Sequence, residues 1–278
     1  MDNPAAEKAP NPWLAMTIDD AREYDERKET YPLRNHVALS RRVAWELILP
    51  HLPNDKSLEV LEVGGGTGFW SIRLALEGWR VMLTDPAQGL LDCAREKLLA
   101  LGLLDKVTIM SADVCDLSAF ASESRRLVLA MGDPLSYCGD AVKALREVWR
   151  VTQAGGVLIG NVECRYRGID ARRAPSWSDA QRILTEGIGY WPGPHHHLAI
   201  QMFTPSEFRS LAESVGWQMQ VMRPSDLLLS LVGRELLNDA FARGIDLEEL
   251  AELELRLGED PSLLGAGTDI WFVMSKPR

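Results

Sequence analysis

Long hydrophobic runs are absent from this sequence of 278 residues. A membrane-spanning helix needs roughly 18 consecutive apolar residues, and the run LLLSLV at 227–232 is far shorter. The start of the chain, MDNPAAEKAPNPW, has no basic segment followed by an apolar core, so it does not resemble a secretory signal. We therefore expect a soluble, cytoplasmic protein without membrane attachment, in which residues 1–12 form a flexible leader.

Paired cysteines and an excess of positive charge are also missing. The four cysteines, Cys93, Cys115, Cys138 and Cys164, include no C-x-x-C pair, which predicts free thiols instead of a disulfide framework or a zinc site. The formal net charge is −10. Tight nonspecific binding of nucleic acid depends on many Lys and Arg contacts to phosphates, so no nucleic-acid partner is expected, although a local basic groove is compatible with this charge.

What the sequence does contain is a repeated alternation of short apolar runs with helical patterns. Seven runs predict strands: LEVLEV (58–63), RVMLT (80–84), KVTIMS (106–111), RLVLAM (126–131), GVLIGNVE (156–163), WQMQVM (217–222) and DIWFVMSK (269–276). Helical stretches lie between them. Strands and helices in this order predict an α/β fold with a Rossmann-like, mostly parallel sheet and helices on both faces.

Further helical patterns flank and interrupt this unit. Residues 13–52 form a helical N-terminal segment, and the main domain is predicted over 53–278 with insertions at 164–203 and 224–266. Thr204 is predicted to cap a helix and to form a capping box with Glu207. The second insertion contains an amphipathic cover helix, whose apolar stripe consists of Leu247, Leu250, Leu253 and Leu257.

The first predicted strand ends in the glycine-rich turn Glu62-Val63-Gly64-Gly65-Gly66-Thr67-Gly68. Glycines permit a tight turn from strand to helix and a close approach of a ligand to the main chain, although such a turn also occurs without a ligand. A dinucleotide fingerprint G-x-G-x-x-G that starts at Gly64 requires glycine at position 69, where this sequence has Phe69. A nicotinamide-dependent dehydrogenase is therefore disfavoured.

The spacing E-x-G-x-G-x-G resembles motif I of the class I methyltransferases that depend on S-adenosylmethionine (SAM), of the small-molecule kind with a type 11/25-like domain. The resemblance covers residues 56–163, 204–223 and 268–276. It implies a seven-stranded sheet whose last strand runs antiparallel between its neighbours, SAM as the cofactor and methyl transfer as the activity. Gln153-Ala154 depart from the Lys-Pro that this family has before two glycines, which affects only a surface turn.

The resemblance also implies which residues bind the cofactor. Asp85 would accept hydrogen bonds from the ribose hydroxyls and Asp113 would contact the adenine amino group, whereas each residue alone is equally typical of a turn or a helix cap. The N-terminal segment would form a lid over SAM. The full set is Tyr24, Tyr31, Glu62, Gly64, Gly66, Gly68, Asp85, Pro86, Asp113, Val114, Met131 and Gly132.

The methyl acceptor is expected beyond the carboxyl ends of the strands, where MGDPLSY (131–137) follows the fourth strand. Asp133 is a candidate to orient or deprotonate a nucleophile, or else to cap the loop. Arginines such as Arg165 are candidates to bind a carboxylate or a phosphate, or else are solvated, and Tyr190 belongs to a pocket wall or to the core of the cover. The candidate substrate-binding residues are Tyr137, Arg165, Tyr190 and His196.

Three consecutive histidines, His195, His196 and His197, lie near the end of the first insertion, shortly before Thr204. In an extended segment, His195 and His197 face one side and His196 the other, and further ligands with suitable spacing are missing, so a metal site is disfavoured and none is predicted. His195 and His197 are candidate bases, and a plain loop is the alternative.

These residues together predict a SAM-dependent methyltransferase that modifies an O, N or S atom of a small metabolite. Additions at both ends of the sheet favour an enclosed pocket for a small molecule. The alternatives are a methyltransferase that acts on RNA or protein, and a SAM-binding regulator without catalytic activity. A monomer or a homodimer is expected.

Overall fold

The computed structural model describes residues 12–167, 169, 174–190 and 199–278. The predictions made for residues 1–11 and for His195, His196 and His197 lie outside the described residues. All further structural statements concern the described ranges.

Nine strands are found in the described ranges. They are β1 (Val60–Val63), β2 (Val81–Asp85), β3 (Val107–Ser111), β4 (Arg125–Ala130), β5 (Thr152–Glu163), β6 (Ile188–Tyr190), β7 (Ala199–Gln201), β8 (Gln218–Pro224) and β9 (Asp269–Ser275). Seven of them form one sheet in the order β3-β2-β1-β4-β5-β9-β8, and β6 pairs with β7 in a separate ribbon. The first five strands of the large sheet are parallel, and β9 runs antiparallel to both β5 and β8. The predicted seven-stranded, mostly parallel sheet is confirmed.

Ten α-helices surround these strands in the same ranges. They are α1 (Ile18–Lys28), α2 (Arg34–Ile48), α3 (Phe69–Leu76), α4 (Gln88–Ala100), α5 (Pro134–Tyr137), α6 (Ala141–Val151), α7 (Trp177–Glu186), α8 (Pro205–Val215), α9 (Leu227–Ala242) and α10 (Leu247–Leu257). Thr204 caps α8 and forms the predicted capping box with Glu207. None of these helices is both long and apolar enough to cross a bilayer.

The side chains of the central strands alternate between two cores, as the period of two residues requires. Leu127 and Leu129 belong to the core that includes α2, α3, α9 and α10, whereas Val128 and Ala130 belong to the core that includes α6 and α8. Because both faces are covered, the strands are apolar throughout, which explains why the sequence shows continuous hydrophobic runs.

One strand starts earlier than predicted. The helical pattern was expected to continue to Gln153 and the fifth strand to begin at Gly156, but β5 begins at Thr152. Thr152 pairs with Arg125 at the start of β4, and the register then shifts between Arg125 and Leu127. A bulge of this kind accommodates the extra residues while the pairing continues.

Candidate functional site

The glycine-rich loop leaves β1 and enters α3 beside the carboxyl ends of the parallel strands. Gly64 has φ 64° and Gly66 has φ 55°, a left-handed conformation that glycine adopts without strain. A Cβ on Gly64 would lie 2.4 Å from the Pro134 Cβ, so the loop packs closely against the segment that follows β4. A Cβ on Gly66 would meet only the Leu90 side chain at 3.9 Å, which leaves the main chain of Gly66 open to the cavity described below.

Asp85 holds this loop in place from the end of β2. Its carboxylate accepts hydrogen bonds from the backbone N–H of Gly66 at 2.9 Å and from that of Ala87 at 2.8 Å. Burial raises the pKa of Asp85 to about 6, although both hydrogen bonds lower it. The hydrogen bond from Ala87 is the turn contact that was predicted as the alternative to ribose binding by Asp85. It leaves further lone pairs on both oxygens, so the carboxylate remains able to accept hydroxyl groups of a ligand.

Glu62, the first residue of the motif, is buried inside the same turn. Its carboxylate accepts a hydrogen bond from the Ser71 hydroxyl, which links the end of β1 to α3. Burial raises the pKa of Glu62 to about 7, and the Ser71 bond offsets this effect in part. The loop is therefore fixed by two buried carboxyl groups, Glu62 on one side and Asp85 on the other.

Asp113 follows β3 and stands beside the buried Val114. The Asp113 carboxylate accepts the backbone N–H of Cys115 at 2.8 Å, which makes the Asx turn that was one of its two predicted roles. The same side chain also lines the cavity.

These strand ends surround one cavity of about 980 Å³. Most of the predicted cofactor, substrate and catalytic residues with described side chains line it: Tyr24, Glu62, Gly64, Gly66, Asp85, Pro86, Asp113, Val114, Met131, Gly132, Asp133 and Tyr137. Residues of the segment before α1 and of helices α1, α2, α3, α4 and α9 contribute further walls. The volume lies at the upper end of the range for small-molecule sites, roughly 300–1,000 Å³, so it is large enough for a cofactor with a small acceptor beside it.

Helix α1 is fastened over the glycine-rich loop. The Thr67 hydroxyl donates to Asp25 at 2.7 Å, and Lys97 of α4 pairs with the other oxygen of Asp25 at 2.6 Å. Arg22 adds a two-oxygen contact to Glu96 of α4. Asp25 was not predicted as a site residue, because an acid in an amphipathic helix usually indicates only a solvated face.

The segment after β4 carries Asp133 in a strained conformation. Asp133 has φ 62°, which is uncommon for a residue other than glycine, and its side chain makes no capping bond to α5. Asn161 of β5 instead donates to the Asp133 carboxylate at 2.7 Å and accepts the backbone N–H of Gly132 at 2.8 Å. Strain that surrounding contacts maintain is typical of functional sites, so the geometry favours a role for Asp133 in the cavity over loop capping.

Three carboxylates meet at this end of the cavity. Oxygen atoms of Asp133, Glu163 and Asp269 lie within 4.8 Å of one another. Tyr137 donates to Glu163 at 2.8 Å, and Ser225 donates to Asp269 at 3.0 Å. These hydrogen bonds make the three carboxylates one polar wall of the cavity. Glu163 and Asp269 were not predicted as site residues.

Four predicted residues with described side chains do not line the cavity. Gly68 caps α3 and packs against Leu83 and Ala94, and Tyr31 is 70% exposed in the turn between α1 and α2. Arg165 forms an ion pair with Glu207 at 2.7 Å, and the Tyr190 ring lies 4.4 Å from the Arg182 guanidinium. Local contacts thus occupy the Arg165 and Tyr190 side chains, Tyr31 is exposed to solvent, and the structure gives the predicted roles of these four residues no support.

Several cavity residues carry no motif that sequence reasoning would detect. They come from the start of the chain, from α2, from the first turn of α3 and from α9, and they include Trp13, Lys28, His36, Arg41, Phe69, Trp70, Asp226, Leu229 and Arg234. Only Phe69 and Trp70 offered a signal, because they directly follow the glycine motif.

Comparisons with known proteins agree with this geometry. A family model described as a methyltransferase domain matches residues 60–156. The malonyl-[acyl-carrier protein] O-methyltransferase of Yersinia pestis is 28% identical over 161 residues, which cover 52% of this chain and 54% of that protein. The tRNA 5-carboxymethoxyuridine methyltransferase of Escherichia coli (strain K12) is 29% identical over 103 residues, 37% of this chain and 39% of that protein.

Residues 60–156 therefore carry a methyltransferase domain, and the sheet order of the whole chain is that of the class I SAM-dependent methyltransferase fold. Phosphoethanolamine N-methyltransferase 2 of Haemonchus contortus, solved in complex with S-adenosyl-L-methionine, shares the fold with a TM-score of 0.62 and 16% identity over 99% of this chain and 62% of that one. The chain spans about half the length of the Yersinia pestis relative. The matched methyltransferase domain supports SAM as the cofactor.

The residues around the glycine-rich loop fit SAM. The main chain of Gly66 and of Gly132 is open, since a Cβ on Gly132 would meet nothing within 4 Å. Asp85 is a buried acceptor for hydroxyl groups, and Pro86, Leu90 and Val114 supply an apolar wall. A nucleoside linked to an amino acid needs this combination of polar and apolar contacts.

Proposed function

We propose that this protein transfers the methyl group of SAM to an O, N or S atom of a small molecule that occupies the same cavity. One observation carries the proposal. The carboxyl ends of β1, β2 and β4 share one concave cavity of about 980 Å³ with α1, α2 and α9, so the cofactor residues face a space that has its own polar wall. A cavity of this size suits a small acceptor better than a long polymer.

The chain's own residues divide the work. Asp85 would hold the ribose, Asp113 and the apolar wall around Val114 would hold the adenine, and the main chain of Gly64 and Gly66 would receive the amino-acid part. Tyr24 and Trp13 would close the cavity from above, where their rings lie 5.6 Å apart edge to face. Closure excludes water and strengthens each polar contact inside.

Bound SAM supplies a methyl carbon that its sulfonium makes electrophilic. The protein must hold a nucleophile in line with that carbon at about 3 Å and accept a proton where the nucleophile carries one. Asp133 is suited to orient the nucleophile, because Asn161 donates a hydrogen bond of 2.7 Å to its carboxylate and so holds that carboxylate beside Gly132. The carboxylate wall of Glu163 and Asp269 would contribute to the same end of the cavity.

Calorimetry with S-adenosylhomocysteine, the demethylated product of SAM, tests the cofactor site. We expect micromolar binding that Gly66→Ala weakens by about tenfold or more. Gly102→Ala is a matched control, because Gly102 also has a positive φ with nothing within 4 Å of a Cβ, yet it does not line the cavity. Absence of binding to the wild-type chain, or equal losses in both variants, would contradict the proposal.

The acceptor class is tested with SAM labelled in its methyl group. Label should pass to a metabolite extract and not to total RNA or to a protein fraction. Transfer to RNA would instead support the function for which the Escherichia coli relative is named. Binding of S-adenosylhomocysteine without transfer to any fraction would indicate a regulator without catalytic activity.

A further inference from the structure

Two basic side chains in the cavity lack the partners that buried basic groups usually have. Arg234 of α9 and His36 of α2 both line the cavity. Arg234 Nε and His36 Nδ1 are shielded from solvent without a hydrogen-bond partner. Among the described residues, Arg234 forms no ion pair either. Buried polar groups in folded proteins are almost always paired, so two unpaired nitrogens on facing helices require an explanation.

The carboxylate beside this pair is already engaged. Asp226 accepts hydrogen bonds from Thr268 at 2.9 Å and from Ser40. It attracts His36 electrostatically but makes no ion pair with Arg234. Burial lowers the pKa of His36, the negative charge of Asp226 opposes this effect, and the positive charge of Arg234 adds to it. The imidazole is therefore neutral near pH 7 and the guanidinium retains an unneutralised charge.

Contacts between the two helices fix this arrangement. The α2 residue Asn35 donates to Asn238 of α9 at 2.6 Å, and Asn238 donates to the Pro32 carbonyl at 3.3 Å. Within α9, Gly233 has φ 79° and ψ 162°, which breaks the helix directly before Arg234. Only glycine adopts this conformation readily, so the chain bends at a defined residue and brings Arg234 to the cavity wall.

We propose that Arg234 and His36 form a subsite for a negatively charged group of the methyl acceptor, a carboxylate or a phosphate. The proposal rests on the proposed function, because it assumes that the cavity receives an acceptor. An anion in the cavity would neutralise the guanidinium and accept hydrogen bonds from its N–H groups, and neutral His36 would donate to the same anion in its Nδ1–H tautomer. The carboxylates Asp133, Glu163 and Asp269 would repel the same anion from their own wall, so the acceptor would bind in one orientation.

The amino-acid carboxylate of SAM is the alternative occupant of this subsite. Two compounds related to SAM distinguish it from an anionic acceptor. Calorimetry compares S-adenosylhomocysteine with 5′-methylthioadenosine, which lacks the amino-acid part. We expect Arg234→Gln to change the affinity for either compound by less than about twofold. A selective loss of S-adenosylhomocysteine affinity would assign Arg234 to the cofactor and overturn the proposal. Failure of the wild-type chain to bind S-adenosylhomocysteine at all would instead contradict the proposed function.

The subsite itself is tested with small aromatic probes on the full chain saturated with S-adenosylhomocysteine. Ligand-observed NMR compares benzoate and phenyl phosphate with neutral benzamide. We expect at least one anion to bind about tenfold more tightly than benzamide, and Arg234→Gln and His36→Gln each to remove that preference. Arg243→Gln is the matched control, because Arg243 lies one residue past α9 and pairs with Asp239 outside the cavity. Equal binding of all three probes, or an equal loss in the control, would overturn the proposal.

The titration of His36 gives a second readout of the subsite. The histidine side-chain resonances of His36 should report a higher pKa when the anion is bound, because the anion offsets the charge of Arg234. Affinity for the anion should therefore increase as pH falls towards the pKa of His36. Asp226, Arg234 and Asp269 are charged groups that also line this region. Because the anion acts on His36 by offsetting the charge of Arg234, the same titration in Arg234→Gln should show a smaller change in the pKa of His36. An unmoved His36 resonance at saturating anion would contradict the subsite.

Discussion

The Thr67 hydroxyl donates a hydrogen bond of 2.7 Å to Oδ1 of Asp25, while Oδ2 of Asp25 pairs with Lys97 at 2.6 Å. One carboxylate of α1 thus joins the glycine-rich loop to α4. Asp25 does not itself line the cavity, whereas Thr67 and Tyr24 do. The connection therefore controls how firmly the N-terminal helix covers the cofactor residues without contributing a ligand contact of its own.

Asp25→Ala should consequently weaken the cover. We expect the affinity for S-adenosylhomocysteine to fall about tenfold or more, mainly through faster dissociation, since a partly buried charged hydrogen bond contributes roughly 1.5–3 kcal/mol and about 1.4 kcal/mol corresponds to a factor of ten. Stopped-flow dissociation and calorimetry measure the effect. Asp19→Ala on the same helix removes an exposed pair with Arg22 and should leave the rate unchanged. Equal dissociation rates for both variants would contradict the role of Asp25.

The raised pKa of Asp85 predicts an acidic limit to cofactor binding. Hydroxyl donors of a ribose prefer the ionised carboxylate, and burial raises the pKa of Asp85 to about 6 in the protein without ligand. Affinity for S-adenosylhomocysteine should hence decrease below about pH 6, by up to about tenfold per pH unit, because a proton must leave before the ligand binds. Calorimetry between pH 5 and 8 measures the slope.

Two variants assign that slope. Asp85→Asn removes the titration and should flatten the profile at a lower overall affinity. Glu62, whose pKa is about 7, lies in the same turn, so Glu62→Gln tests whether the limit belongs to the neighbouring carboxyl instead. An unchanged acidic limit in Asp85→Asn would exclude Asp85 as its origin.

Close packing of the N-terminal segment on α4 supports a third prediction. A Cβ on Gly89 would lie 2.1 Å from the Met16 carbonyl oxygen, directly before α1. Gly89→Ala should push this segment away and cost about 1–3 kcal/mol in unfolding free energy, together with affinity for S-adenosylhomocysteine. Thermal denaturation and calorimetry measure both effects. Leu99→Ala on the exposed face of α4 should change neither, and a fully stable Gly89→Ala variant would contradict the close approach.

The residues at the strand ends could be predicted because they follow from short-range patterns. Glu62, Asp85 and Asp113 each stand where a strand of continuous apolar residues ends, and the glycine spacing relates the three positions to one ligand. The carboxyl ends of parallel strands meet at one edge of a sheet, and this does not depend on how the helices pack. For that reason the cofactor half of the cavity was accessible from the sequence.

The other half depends on which helices meet, which local patterns do not encode. Asn35 and Asn238 are hydrogen-bonded although 203 residues separate them, and His36 and Arg234 come together only through that contact between α2 and α9. Amphipathic periodicity indicates which face of a helix is buried but not the partner it buries against. Arg165 illustrates the converse: an arginine after a strand was a reasonable ligand candidate, yet Glu207 at the start of α8 neutralises it.

Glu254 gives a prediction about the stability of the cover formed by α9 and α10. This buried carboxylate accepts the backbone N–H groups of Leu227 and Leu228, the latter at 2.7 Å, and so caps the start of α9. Burial raises its pKa to about 7, above its ordinary value of 4.5, so the folded chain binds this proton more tightly than the unfolded chain. The stability from this group is present at low pH and is lost as pH rises from about 4.5 to about 7.

The side chain of Glu254→Gln cannot titrate. We therefore expect the difference in unfolding free energy between the wild-type chain and this variant to change by about 2–3 kcal/mol between pH 5 and pH 8. The wild type should be relatively more stable at pH 5. Urea denaturation at both values measures it. Glu62 and Asp85 have raised pKa values as well and contribute equally to both proteins, so they cancel in the difference. Glu252→Gln, on the exposed side of α10, should follow the wild type at each pH. Parallel pH profiles for Glu254→Gln and the wild type would show that Glu254 does not titrate in this range, and that its cap on α9 is independent of its charge.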